Sequence, residues 1–167
     1  MKTLELIDKT REYLDYIENH VVNVARAWNE LQAKCKDLRF IYDDYVFHSI
    51  DSAVQEHDLS KLSEEEFIEY RRCFYPCGDE PKMKLGKSWE HHKEHNPHHW
   101  ENWTADETVY LNPFEWEVHC VHMVVDWMAM GYHFNDTAQE YYEKHKDNIK
   151  LPDHVVSLIY EIFEKIK

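Results

Sequence analysis

Apolar residues recur three and four positions apart along nearly the whole chain, the period of an α-helix with one buried face. Leu6, Tyr13, Leu14, Ile17, Val21, Val24, Ala25, Trp28 and Leu31 mark one helix from Thr3 to about Leu38, or two joined near Asn19. Tyr42, Val46, Ile50, Ala53 and Val54 mark the next, from Arg39 to Glu56. Ser63 with Glu66 three residues on reads as a capping box that opens a short helix to about Phe74. The stretch Tyr75–Pro81 then breaks the pattern with two prolines and a glycine. A further helix runs into Asn96-Pro97, where proline pushes its predecessor out of the helical region, and a fresh helical start follows at His98. After a loop from Thr104 to Asn112, Pro113 fits the first turn of a helix that runs to about Met130 with Gly131 as its C-cap. Its apolar members Phe114, Val118, Val121, Val124, Val125, Met128 and Ala129 cover much of the circumference, which predicts a central helix. Asp136 reads as the cap of a helix to about Lys146, and the last helix spans Pro152 to Lys167.

Composition strengthens the all-α reading, because three glycines and five prolines leave little material for hairpins. A length of 167 residues with 43% hydrophobic content predicts one domain over residues 1–167, large enough to bury a sizeable core. The net charge of −14 argues against bulk nucleic-acid binding, which depends on neutralising phosphates with Lys and Arg. Cys35, Cys73, Cys77 and Cys120 lack both paired finger spacing and the density of a secreted disulfide scaffold, so free thiols in a reducing, cytoplasmic setting are expected. No apolar run approaches the length of a membrane span, and a soluble, untargeted protein is expected.

The chemistry-bearing residues stand out against this frame. Glu56-His57-Asp58-Leu59-Ser60-Lys61 brings an imidazole and a carboxylate to the end of a helix, with a mobile cation three residues later, a vocabulary suited to metals and phosphates. His48 lies nine residues before His57, half a turn away on a helix, and is excluded from any site there. Between Trp89 and Trp100 stand His91, His92, His95, His98 and His99, so at least one metal ligand is expected among them. Asp126 interrupts an otherwise apolar helix, an expensive placement unless paired or bound to a cation, with His119 and His122 on the same face. His20 lies on or beside the apolar stripe of the first helix.

His20, the His57-Asp58 pair, the later histidine cluster and Asp126, in that order, resemble the HD-domain superfamily of metal-dependent phosphohydrolases. Leu-Ser-Lys-Leu-Ser-x-x-Glu-Phe and Asn-Pro-His-His-Trp are similar to a small bacterial and phage branch of it. The resemblance implies a helical HD-type fold in which His20, His57, Asp58 and Asp126 hold one divalent transition metal. His57-Asp58-Leu59-Ser60-Lys61 is similar to the His-Asp-x-x-Lys of two-metal branches, where His92 and one of His98 or His99 would hold a second ion. Mixed nitrogen and oxygen donors point to Mn, Fe, Co, Ni or Zn more than to Mg. Lys93 stands where those branches carry an acid, and the Gly-Tyr-Pro of cyclic-dinucleotide phosphodiesterases is missing. The implied activity is hydrolysis of a phosphomonoester or phosphodiester, with Asp58 at the metal and Lys61 and Arg72 complementing phosphate charge. A small phosphorylated substrate, a nucleotide, is expected because Trp89, Trp100, Trp103 and Trp127 offer stacking surfaces, although as core residues they would serve packing instead. Two other classes stay open: a di-iron oxygenase on the same scaffold, and a non-catalytic helical interaction module.

Overall fold

The computed structural model describes residues 2–78, 80–81, 83–103 and 115–167. Its elements are α1 (Lys2–Lys34), α2 (Arg39–Tyr42), α3 (Asp44–Gln55), a 3₁₀ turn (Leu59–Leu62), α4 (Phe67–Phe74), α5 (Lys87–His95), a second 3₁₀ turn (Trp100–Trp103), α6 (Glu115–Phe134), α7 (Ala138–His145) and α8 (Asp153–Ile166). No strand occurs among the described residues, and the fold class is all-α as the period predicts. The loop expected over Thr104 to Asn112, and Pro113 and Phe114 at the expected start of α6, lie outside the described residues. Among the described residues no helix is long and apolar enough to cross a membrane.

Two compact units divide the chain: Met1–Val21 with Asp58–Asn96, and Val22–His57 with Pro97–Lys167. In the first, Tyr13, Ile17 and Tyr70 form a buried aromatic-rich core, against which Tyr16, Phe67, Tyr75, Leu85 and Trp89 pack. Its proline-containing loop is tied down by polar bonds. Buried Arg71 donates to Glu80 through both terminal guanidinium nitrogens, at 2.7 and 2.8 Å, the Cys77 amide donates to Glu80 at 2.8 Å, and the Gly78 amide donates to Glu5 of α1 at 2.7 Å. In the second unit α6 packs against α2, α3, α7 and α8, which makes it central as its apolar circumference predicts. Trp28 donates its indole N–H to Asp51 at 2.9 Å, giving a buried ring a partner for its one polar atom.

Several boundaries differ from the periodicity reading, each for a local reason. α1 is unbroken at Asn19, whose side chain donates to the Asp15 carbonyl one turn back at 2.7 Å; no Gly or Pro interrupts α1. The expected helix from Arg39 to Glu56 is two, because Asp43 adopts extended geometry and its side chain accepts from the Val46 amide at 3.2 Å, capping α3. Gly131 is not a C-cap but lies inside α6, where a Cβ would stand 2.5 Å from the Asp136 carbonyl oxygen. Asn135, with φ 56°, supplies the left-handed residue after the helix instead. Thr137 rather than Asp136 caps α7, in a full capping box with Glu140. The restart at His98 comes two residues later, as the 3₁₀ turn from Trp100. Ser63 and Glu66 form no capping box, since α4 starts at Phe67 and the Glu66 side chain caps nothing.

Candidate functional site

α3 ends at Gln55, and the His57 amide still reaches the Val54 carbonyl at 3.3 Å. Asp58 then turns the chain with φ 58° and ψ 17°, a left-handed geometry that Asp tolerates better than most residues because its short side chain bonds locally. Strained backbone of this kind concentrates at functional sites. His57 belongs to the second unit and Asp58 to the first, and each carries its own set of neighbours.

In the first unit Asp58 is 3% exposed. Its Oδ2 forms an ion pair with Lys61 and lies 3.5 Å from His20 Nε2. Its Oδ1 lies 3.3 Å from His92 Nε2. The other ring nitrogen, His92 Nδ1, is 2.8 Å from Glu66 Oε2, while Glu66 Oε1 is 2.7 Å from His91 Nδ1. A carboxylate oxygen can only accept, so both Nδ1 atoms donate. In the neutral His92 ring, Nε2 then carries the lone pair and faces Asp58 Oδ1. Two buried acceptors facing one another are costly unless a cation or proton sits between them. Asn96 supports the arrangement by donating to Ser60 Oγ and to the His92 carbonyl, both at 2.7 Å. Tyr70 tilts its ring against His92, with centroids 5.5 Å apart. Burial, with Glu66 and Asp58 adding to it, pushes the Tyr70 phenol far above its ordinary value, and burial, Asp58 and Glu66 do the same to Tyr13, so both phenols stay neutral in acidic surroundings.

In the second unit the donors are mainly imidazoles. His57, His98 and His122 are buried and offer ring nitrogens within 4.8 Å of one another. His57 Nδ1 and His122 Nε2 are 2.8 Å apart, a hydrogen bond between rings. The side chain of Asp126 is 16% exposed and stands beside this group, with Oδ1 3.7 Å from His57 Nε2 and Oδ2 4.0 Å from His98 Nε2. His122 and Asp126 are one turn apart on α6, which is how a single helix supplies both. One turn earlier on that helix, His119 is held below its ordinary value by burial.

Each expected residue now has a place. Of the quartet His20, His57, Asp58 and Asp126, the pairs His20 with Asp58 and His57 with Asp126 meet. His92 faces Asp58, whereas His91 turns to Glu66. His98 faces Asp126, while His99 is half-buried with its ring 4.4 Å from that of His98. Lys61 lies on Asp58. Arg72 turns to the protein itself, with Nε 3.3 Å from Glu80, which already engages Arg71. His48 is exposed on α3, consistent with its exclusion. Cys73 and Cys77 are free thiols. Trp103 and Trp127 are buried, the latter stacked on Tyr142 at 5.7 Å, so packing accounts for both; Trp89 stacks on His92 at 5.7 Å. Residue spacing left two candidates without a role. Glu66 carried a capping signature that hid its contacts with His91 and His92, and His122, placed by spacing on the face of Asp126, was given no part as a ligand.

Buried imidazole nitrogens beside carboxylate oxygens are the donor chemistry that borderline divalent metals prefer; His57, His98 and His122 lie close enough to share an ion, and His92 and Asp58 offer a nitrogen and an oxygen 3.3 Å apart. Among the described residues the protein is all-helical, with buried groups of histidine and carboxylate side chains that could hold a metal ion. Over residues 9–165 the chain matches the family described as a family of unknown function (DUF5662), and it belongs to that family. No curated protein and no solved structure matches it.

Proposed function

We propose that this chain is a cytoplasmic metal-dependent phosphohydrolase that acts on a phosphomonoester or phosphodiester of a small molecule, a nucleotide above all. The observation that carries the reading is the buried facing of His92 Nε2 and Asp58 Oδ1 at 3.3 Å, with the Lys61 ammonium on the same carboxylate. The donors of the two clusters, His20, Asp58 and His92 in one and His57, His98, His122 and Asp126 in the other, are the ligands for one or two Mn, Fe, Co, Ni or Zn ions. Bound there, a divalent ion supplies a nucleophilic water near neutral pH and neutralises phosphoryl oxygens. The chain's own contribution is to hold neutral imidazoles and a carboxylate in fixed directions, and to place Lys61 where it can balance phosphate charge. The four free cysteines support the cytoplasmic setting.

The test is metal stripping by a chelator followed by reloading with each of the five metals, against a panel of aryl phosphate mono- and diesters and nucleoside monophosphates. Mn or Co should restore hydrolysis. Lys61→Ala should keep its metal, because losing the ammonium leaves Asp58 more negative, yet lose about 100-fold in rate. Absence of hydrolysis with all five metals rejects the phosphohydrolase reading. Iron-dependent oxygen uptake in its place would establish the oxygenase, and neither reaction, with a structural metal or none, would favour the interaction module.

A further inference from the structure

Glu66 is the anomaly of the first unit, a fully buried carboxylate at the start of α4 that takes none of that helix's amide protons. A carboxylate beside a helix N-terminus is favoured by the partial positive charge of the first-turn N–H groups. Here both oxygens are spent on histidines, Oε2 on His92 Nδ1 at 2.8 Å and Oε1 on His91 Nδ1 at 2.7 Å. His91 is only partly buried, and its contact fixes the direction of the Glu66 carboxyl group. His92 is 1% exposed, wedged between Tyr70 and Trp89, with ring centroids 5.5 and 5.7 Å away. A ring so packed has one choice left to it, which nitrogen carries the proton.

We infer that Glu66 is a positioning residue: it holds the proton of His92 on Nδ1, so that Nε2 keeps its lone pair toward Asp58 and is ready to ligate a cation. The inference rests on the metal-binding half of the proposed function and is independent of the reaction. Ligating histidines commonly give their second N–H to a carboxylate, which sets the tautomer and raises the basicity of the ligating nitrogen. Ser60 Oγ and Asn96 Nδ2 also approach His92 Nδ1, each at 3.2 Å. Neither competes for the proton. The Asn96 amide is a donor engaged elsewhere, and the Ser60 contact is longer than the contact to Glu66.

The experiment measures metal affinity without substrate, by competition of the full-length protein with a chromogenic chelator for Co or Zn. Glu66→Gln keeps shape and volume but, whichever way its amide turns, removes the negative charge that both holds the Nδ1 proton and raises the basicity of Nε2. Affinity should fall about 10- to 100-fold with the thermal melt retained. In an His92→Ala background the same substitution should change affinity by less than about twofold, because its effect passes through that ring. Long-range proton–nitrogen NMR on the unsubstituted, metal-free protein, with the His92 signal assigned by its loss in His92→Ala, should show the Nδ1–H tautomer; this reading needs no folded Glu66 variant. The inference is overturned by an Nε2–H tautomer, by unchanged affinity in Glu66→Gln, by an undiminished effect in the His92→Ala background, or by wild-type protein that takes up neither metal. Weakened metal binding in Glu66→Gln alongside a wild type that hydrolyses no phosphoester would leave Glu66 in its role and remove only the phosphohydrolase reading.

Discussion

The two donor clusters hold buried imidazoles in a set direction with different anchors. In the first unit the anchor is a carboxylate, Glu66, which can only accept, so Nδ1 is the donor nitrogen of His92. In the second the anchor is another imidazole, since His57 Nδ1 and His122 Nε2 lie 2.8 Å apart. An imidazole can donate or accept, so that bond leaves both rings two consistent arrangements. The acids differ as well. Asp58 meets His20, His92 and Lys61 within the first unit, whereas Asp126 stands at 3.7 and 4.0 Å from His57 and His98. The first cluster is thus preorganised by charge and the second by packed rings, and ligand loss should be felt unequally in the two.

The largest effect should come from Asp58→Asn, which keeps the side-chain shape and the tolerance for left-handed geometry while removing the charge that His20, Lys61 and His92 share. Metal affinity should fall by more than about 100-fold, beyond the range typical of supporting residues. Asp126→Asn should cost about 10-fold, since His57, His98 and His122 remain as donors. Equal losses in the two variants, measured by chelator competition, would erase the contrast between the clusters.

Acid should separate the two units next. Burial holds His119 of α6 below its ordinary value of 6.5, so below that pH the unfolded chain takes up a proton that the folded one refuses, and stability is lost as pH falls. The Arg71 guanidinium holds Glu80 down at about 2 from 4.5, so the stability from that pair is full above 4.5 and is lost as pH falls through about 2. Hydrogen exchange should show amide protection in α6 weakening from pH 6.5 downward, less so in His119→Gln. The penalty of Glu80→Gln on α4 should be constant above 4.5 and shrink below it. A Glu80→Gln penalty that persisted unchanged at pH 2 would contradict the assigned partner.

The smallest effect belongs to the thiols. Cys77 Sγ lies 3.7 Å from the Arg71 guanidinium and Cys73 is half-buried, so replacing both by Ser should leave metal content unchanged. Elemental analysis showing lost metal would place a thiolate in a cluster where none is assigned.

What the amino-acid order determined by itself was whatever depends on residues a turn or two apart. The 3.6-residue period set the fold class, Asp126 among apolar neighbours announced a paired carboxylate, and the end of the apolar pattern placed His57 and Asp58 at a helix C-terminus. Proline at 97 placed the break that separates His92 from His98. Tertiary structure decided every choice between chemically equivalent candidates. Glu66 three residues after Ser63 satisfies the capping pattern equally well whether it bonds its own helix or two histidines 25 and 26 positions later, and only the packing of α5 brings those rings to it. Gly131 likewise reads as a helix end until the returning chain at Asp136 shows that it makes room inside one. The physical reason is the range of the forces: capping and periodicity are settled within a helical turn, whereas the partner of a buried polar group is whichever distant segment burial leaves within hydrogen-bonding reach.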